Sequence, residues 1–132
     1  KDMVRKWKEE SSYVGGDTRT VEVNLSVDGK NQTVDIGDLI QEACELLIPK
    51  VGNAIKRIVA EADPEYQPVL RNNIILSGGG SLIEGLAERV ARDISDIGDV
   101  NVWCVENPLE KVAEGALMLA GEMPDDMYTA IN

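Results

Sequence analysis

The residues best suited to chemistry in this chain are Gly78-Gly79-Gly80-Ser81, which follow the apolar run Asn73–Ser77 and precede a helical pattern. Glycines in such a turn let the backbone come close to a ligand, and free N–H groups at a helix start attract anions. The chemistry this suits is contact with the sugar or phosphates of a nucleotide. A tight strand-to-helix turn is the plainer use, and it needs one or two glycines rather than three. The spacing is not Gly-x-Gly-x-x-Gly and no Walker lysine follows, so neither a dinucleotide fingerprint nor a P-loop is present. Histidine is absent from all 132 residues, which excludes His-based triads, imidazole bases and most zinc sites. The paired carboxylates Glu9-Glu10 and Asp125-Asp126 have no sugar site built around them and read as solvated acids. Asp-Ile-Gly-Asp occurs at 35–38 and again at 96–99, but without the Gly-Thr that would cradle a phosphate, so the repeat reads as chance.

The rest of the composition narrows the classes. With 24 acidic against 13 basic side chains the net charge is −11, which argues against a nucleic-acid partner. No apolar run approaches the roughly 20 residues of a membrane helix, and no signal-peptide pattern opens the chain. A hydrophobic fraction of 43% is enough for a folded core and rules out wholesale disorder. Cys44 and Cys104 lie in apolar surroundings, so reduced, buried thiols are expected.

The elements that must position the glycine turn follow from periodicity. Residues 1–10 read as the end of a helix, stopped by Gly15-Gly16. Val21, Val23, Leu25 and Val27 alternate with polar residues, Asp28-Gly29 supplies a type I′ turn, and Val34 and Ile36 return inward: a β-hairpin. Asp38 with Gln41 forms a capping-box pattern. Ile40, Cys44, Leu47, Val51, Ile55, Ile58 and Ala62 then mark one face of a long helix, kinked at Pro49. Residues 65–71 suggest a short helical turn. The stretch 73–77 is a strand apolar enough to be covered on both faces, and Ser81-x-x-Glu84 is a second capping box. The helix it opens would bury Ile83, Leu86, Val90 and Ile94. A strand at 100–105 follows, then Asn107-Pro108 as N-cap and first position of a last helix that Pro124 ends. Two parallel strands make an incomplete sheet, and the chain opens without Met inside a helical pattern. The expectation is a part of a larger α/β protein whose start lies upstream.

At this point the residues resemble a family. Asn73-Ile-Ile-Leu-Ser-Gly-Gly-Gly-Ser-Leu-Ile-Glu-Gly is similar to the nucleotide loop in the C-terminal half of actin-like ATPases. Lys8-Glu9 ahead of Ser12-Tyr13-Val14 resembles the Lys-Glu pair that contacts adenosine there, and 108–120 resembles the family's final helix. The likeness is greatest to the bacterial magnetosome-filament actins, through Ala43-Cys44-Glu45, Pro64-Glu-Tyr-Gln, Asn101-Val-Trp-Cys and the ending Met123-Pro-Asp-Asp-Met-Tyr, with rod-shape actins next. The resemblance implies the C-terminal portion of the actin-like, ribonuclease H-like α/β fold, a β-hairpin and parallel strands covered by helices. Residues 1–36 would belong to the small subdomain of a second lobe, 37–106 to its large subdomain, and 107–132 to a helix returning to the first lobe.

The same resemblance implies nucleotide contact by Lys8, Glu9, Gly78, Gly79, Gly80, Ser81 and Ile83: the glycines and Ser81 on the ribose and α-phosphate side, Ile83 under the adenine, Lys8 and Glu9 at the ribose and base edge. The cofactor would be ATP or ADP with Mg²⁺, the metal held by a missing N-terminal half that also carries the phosphate loops. ATP hydrolysis is therefore expected of the full-length protein and not of this chain alone. The implied partners are that missing lobe, further copies in a filament and magnetosome-associated proteins, in the cytoplasm. A cell-shape filament protein, a non-catalytic actin-like interaction module and a small anion-binding α/β protein are the alternatives. Leu117, Met118 and Leu119 would lie exposed here or pair with another copy.

Overall fold

The hairpin forms where its alternation places it, and the helical stretch behind it forms as two helices rather than one. The structure is a computed structural model and describes residues 2–124; Asp125-Asp126 and the end of the Met123–Tyr128 stretch lie outside the described residues. Helix α1 spans Asp2–Ser11, and strands β1 (Glu22–Val27) and β2 (Lys30–Asp35) pair antiparallel with Val23 opposite Val34. Asp28 and Gly29, with φ of 52° and 77°, make the type I′ turn whose twist matches the strands. At the hairpin's base Asp35 Oδ1 accepts from Val21 N–H at 2.8 Å and from Gly37 N–H at 2.9 Å. These two bonds hold the Asp35 carboxyl below its ordinary range.

Asp38 and Gln41 do not form a capping box. Helix α2 spans Gly37–Glu45 and has no side-chain cap, because Gly37 is pressed against the backbone of Arg19: a Cβ there would lie 1.7 Å from Arg19 O. Gln41 turns instead to the carbonyls of Gly15 and Gly16. The long helix does not kink but breaks at Leu46-Leu47, where Leu47 N–H tightens onto Cys44 O at 3.0 Å. Helix α3, Ile48–Glu61, restarts with Pro49 in its first turn, where a missing N–H costs no intrahelical bond. Cys44 lies in the core and Ile40, Val51 and Ile55 pack against it as expected, but the restart replaces Leu47 and Ile58 on the buried face by their neighbours Ile48 and Val59. Ile48 and Val59 (6% exposed) are in the core, and Ile58 (59%) is outside it.

After α4 (Gln67–Arg71), strands β3 (Ile74–Leu76) and β4 (Val102–Cys104) pair in parallel, Ile75 beside Trp103. Helix α5, Leu86–Asp93, connects them and lies over one face of the sheet with α3 beside it. The core cluster is Val14, Cys44, Ile48, Ile83, Leu86, Val90 and Ile94, backed by Ile74, Leu76 and Val102. Coverage of both strand faces is not found among the described residues: Ile75 is 55% exposed, because the single crossover helix covers one side only. Asn107 is not an N-cap. It takes φ +50°, its carbonyl accepts from Glu110 and Lys111 N–H in a separate turn, and helix α6 starts at Lys111 and runs to Glu122. Leu117, Met118 and Leu119 stand exposed on it. Among the described residues no helix is long and apolar enough to cross a membrane.

Candidate functional site

The glycine turn begins straight after β3. Gly79–Leu82 form one 3₁₀ turn, closed by Ser81 N–H on Gly78 O at 3.0 Å and Ile83 N–H on Gly80 O at 3.2 Å. The Ser81 hydroxyl donates to the same Gly78 carbonyl at 2.8 Å and is buried, so it is engaged inside the turn. No capping box forms between Ser81 and Glu84. Glu84 is extended and pairs with the chain just after α1: Val14 N–H donates to Glu84 O at 2.9 Å, and Glu84 N–H to Ser12 O at 3.1 Å. Gly85 follows in the left-handed region at φ +78°, and α5 starts only at Leu86. The helix N-terminus is thus separated from the glycines, and the anion-attracting groups of the turn are the first N–H groups of the 3₁₀ segment, which have no partner within it.

The pairing of Tyr13 with Glu84 brings the end of α1 against the turn. Lys8, Glu9 and Ser12 on one side, Gly79, Leu82 and Ile83 on the other, and Leu109 at the end line a cleft of about 320 Å³. That is within the usual range of small-ligand pockets, about 300–1,000 Å³. Of the residues singled out in the sequence, Lys8, Glu9, Gly79 and Ile83 line this cleft, and Gly78, Gly80 and Ser81 belong to the same turn without lining it. Ile83 is mostly committed to the core, at 5% exposed, and presents little of itself. Ser12, Leu82 and Leu109 were not foreseen. Leu82 is the exposed apolar residue inside the loop pattern and could have been found there; Leu109 reaches the cleft from a turn distant in sequence. A Cβ at Gly78 or Gly80 would meet nothing within 4 Å, so the backbone of the turn is open to close approach, which fits a sugar or phosphate group.

The charges around the cleft are specific. Glu9 accepts from Arg5 Nε at 2.8 Å, one turn back on α1. Arg19 forks onto both oxygens of Glu84, at 2.6 and 2.7 Å, and lies 4.9 Å from the centre of the Tyr13 ring. Arg19 holds the Glu84 carboxyl below the usual glutamate range, chiefly through these hydrogen bonds. The Tyr13 hydroxyl accepts from Arg19 N–H at 2.8 Å and donates to Gly37 O at 3.3 Å. Behind them Glu45 accepts from Gly15 N–H at 2.9 Å and from Arg89 Nε at 3.0 Å.

Both cysteines are free. Cys44 is buried as expected, but Cys104 is only half-buried at the sheet's end, its thiol pushed up by burial and by Glu88. No three His, Cys, Asp or Glu side chains converge to hold a metal ion among the described residues. Trp7 packs half-buried in an apolar groove with Val4, Leu39, Ile40 and Ala43.

Comparison with known proteins gives a consistent result. A family model described as MreB/Mbl protein matches residues 8–127. The chain is 38% identical over 121 residues to actin-like protein MamK of Paramagnetospirillum magneticum, covering 92% of this chain and 35% of that protein. It is 27% identical over 117 residues to the cell shape-determining protein Mbl of Bacillus subtilis, covering 84% of this chain and 33% of that one. Among solved structures it is similar to a MamK double helical filament, with a TM-score of 0.88 at 36% identity over 93% of this chain and 38% of that one. It is also similar to a non-polymerising MamK mutant bound to AMPPNP, with a TM-score of 0.83 at 35% identity over 91% of this chain and 37% of that one. The chain therefore spans about a third of the length of the relatives it matches.

Proposed function

This chain belongs to the MreB/Mbl family of actin-like proteins, and from that premise we propose that it forms the base-and-sugar wall of a nucleotide cleft in a filament-forming ATPase. The observation that carries the reading is the cleft itself, in which the Lys8-Glu9 end of α1 faces the glycine turn. In this reading Lys8 and Glu9 reach the ribose and base edge, and Gly78, Gly79, Gly80 and Ser81 admit the ribose and α-phosphate. Ile83 and Leu82 give the base an apolar floor. ATP is the proposed nucleotide, with Mg²⁺ assigned in this reading to the other lobe of the full-length protein; among the described residues no three His, Cys, Asp or Glu side chains converge.

The wider function is a cytoskeletal filament in the cytoplasm, assembled head to tail by a contact that propagates without closing. Its proposed cargo is the magnetosome, with magnetosome-associated proteins as partners. The 38% identity to MamK against 27% to Mbl favours this over a cell-shape role. The test is nucleotide binding and pelleting of the full-length protein. ATP-dependent sedimentation, lost together with ATP binding in Lys8→Ala/Glu9→Ala, is expected. A protein that sediments equally without nucleotide, or binds ATP unaffected by that double variant, overturns the reading.

A further inference from the structure

We propose that Arg19 is a positioning residue for the nucleotide cleft, holding the exit of the glycine turn against the end of α1. The inference rests on the functional reading above. Two strips of backbone meet below the cleft, 12–14 and 84, and two hydrogen bonds join them. Arg19 adds the side-chain clasp: its guanidinium takes both carboxylate oxygens of Glu84 and lies over the ring of Tyr13, so one planar group spans both strips. A forked guanidinium–carboxylate pair fixes direction as well as distance. The backbone of Arg19 is itself placed, because its N–H donates to the Tyr13 hydroxyl while that hydroxyl donates to Gly37 at the start of α2.

Neither Arg19 nor Glu84 lines the nucleotide cleft; both line an adjoining hollow with Glu10, Ser11 and Thr20, and Ser12 lines the two hollows alike. Arg19 therefore acts through its neighbours: Glu84 follows Ile83 directly, and Tyr13 follows Ser12, and Ile83 and Ser12 are cleft residues. The side chains of Arg19 and Glu84 are 53% and 65% exposed, so their pair adds little to global stability, as exposed pairs do. Its effect falls on the separation of Lys8-Glu9 from the glycine turn, which two loops would otherwise leave looser.

The experiment titrates a fluorescent ATP analogue against the full-length protein as wild type, Arg19→Gln, Arg19→Lys and Glu84→Gln, reading Kd and binding stoichiometry separately. Arg19→Gln and Glu84→Gln are each expected to weaken Kd by roughly three- to tenfold with stoichiometry and melting temperature little changed. Arg19→Lys, which keeps the charge and loses the fork, is expected to recover only part. An unchanged Kd in either Gln variant, or a loss confined to stoichiometry with Kd intact, overturns the proposal, since the second is the mark of partial unfolding. A wild-type protein that binds no analogue overturns the cleft reading and this inference with it; a wild type that binds while the variants match it overturns this inference alone.

Discussion

Replacing Gly85 by alanine should damage the fold more than a turn glycine normally does, and the structure says by how much. Two costs combine there. Gly85 sits at φ +78°, where an L-residue with a Cβ costs about 1–2 kcal/mol. A Cβ would also lie 2.6 Å from Val14 O, a backbone atom that can yield only by loosening the pair of hydrogen bonds between 12–14 and Glu84. At about 0.5–1.5 kcal/mol for each such bond, the second cost is about 1–3 kcal/mol and the total about 2–5 kcal/mol. Gly16 and Gly37 separate the two costs. Gly16 has φ +71° with nothing within 4 Å of its Cβ position, so Gly16→Ala should carry only the conformational part, about 1–2 kcal/mol. Gly37 lies outside the positive-φ residues, but its Cβ would lie 1.7 Å from Arg19 O, so Gly37→Ala should carry only the steric part. Urea unfolding of the full-length protein, with the three variants compared at equal slope, measures the order. Gly85→Ala falling within about 0.5 kcal/mol of Gly16→Ala would refute the claim that the close approach to Val14 constrains this turn.

The break at Leu46-Leu47 predicts a paired result along α3: Ile48→Ala should cost about 2–5 kcal/mol and Ile58→Ala less than about 1 kcal/mol, and equal costs in urea unfolding would restore one unbroken helix face. The depressed carboxyls predict an acid-side slope. Glu84 and Asp35 have folded values below their unfolded ones, so their contributions are present above the ordinary carboxyl range and are lost as pH falls through the folded values. Arg19→Gln should return the folded Glu84 carboxyl toward its ordinary range, read by NMR titration of that carboxyl, and an unchanged midpoint would count against the pair. Cys104, half-buried with its thiol pushed up, should alkylate slowly near neutral pH and quickly once urea opens the sheet; fast labelling of the folded protein by iodoacetamide would contradict the burial and the Glu88 effect.

The fold was legible where one local signal and one long-range requirement agreed. The hairpin had alternation on both strands and Asp28-Gly29 between them, and nothing distant competes for its turn. Ile83, Leu86, Val90 and Ile94 were readable as core because any helix or turn over a parallel sheet buries the side its apolar residues share. All three capping patterns failed, at Asp38, Ser81 and Asn107, because a cap motif reports only what four residues can do among themselves. At Asp38 the deciding partner was Arg19, nineteen positions away, whose carbonyl fills the space over Gly37. At Ser81 it was the strip 12–14, which takes the backbone of Glu84, together with Arg19, which takes both oxygens of its carboxylate.

The candidate site divides along the same line. Three consecutive glycines exceed what a turn needs, so the turn announced itself; Lys8 and Glu9 sit in an ordinary charged helix end, and only likeness to a family drew them in. What joins them is Tyr13, which pairs by backbone with Glu84, accepts from Arg19 and reaches Gly37. The two glycines whose Cβ would meet backbone, Gly37 and Gly85, stand against the two backbone segments that flank this tyrosine's contacts, Arg19 and Val14. In the structure they are the places where another backbone segment of the same chain comes closest, and the helices α2 and α5 begin where they do because that contact, rather than any cap, sets their first residue. A cleft built this way depends on a buried tyrosine outside its lining as well as on the residues that face the ligand. Tyr13→Phe is therefore expected to loosen Arg19 and Gly37 together and to raise nucleotide Kd in the full-length protein. If Arg19→Gln and Tyr13→Phe instead add independently in Kd, the two act through separate routes and the tyrosine is not the joint between them.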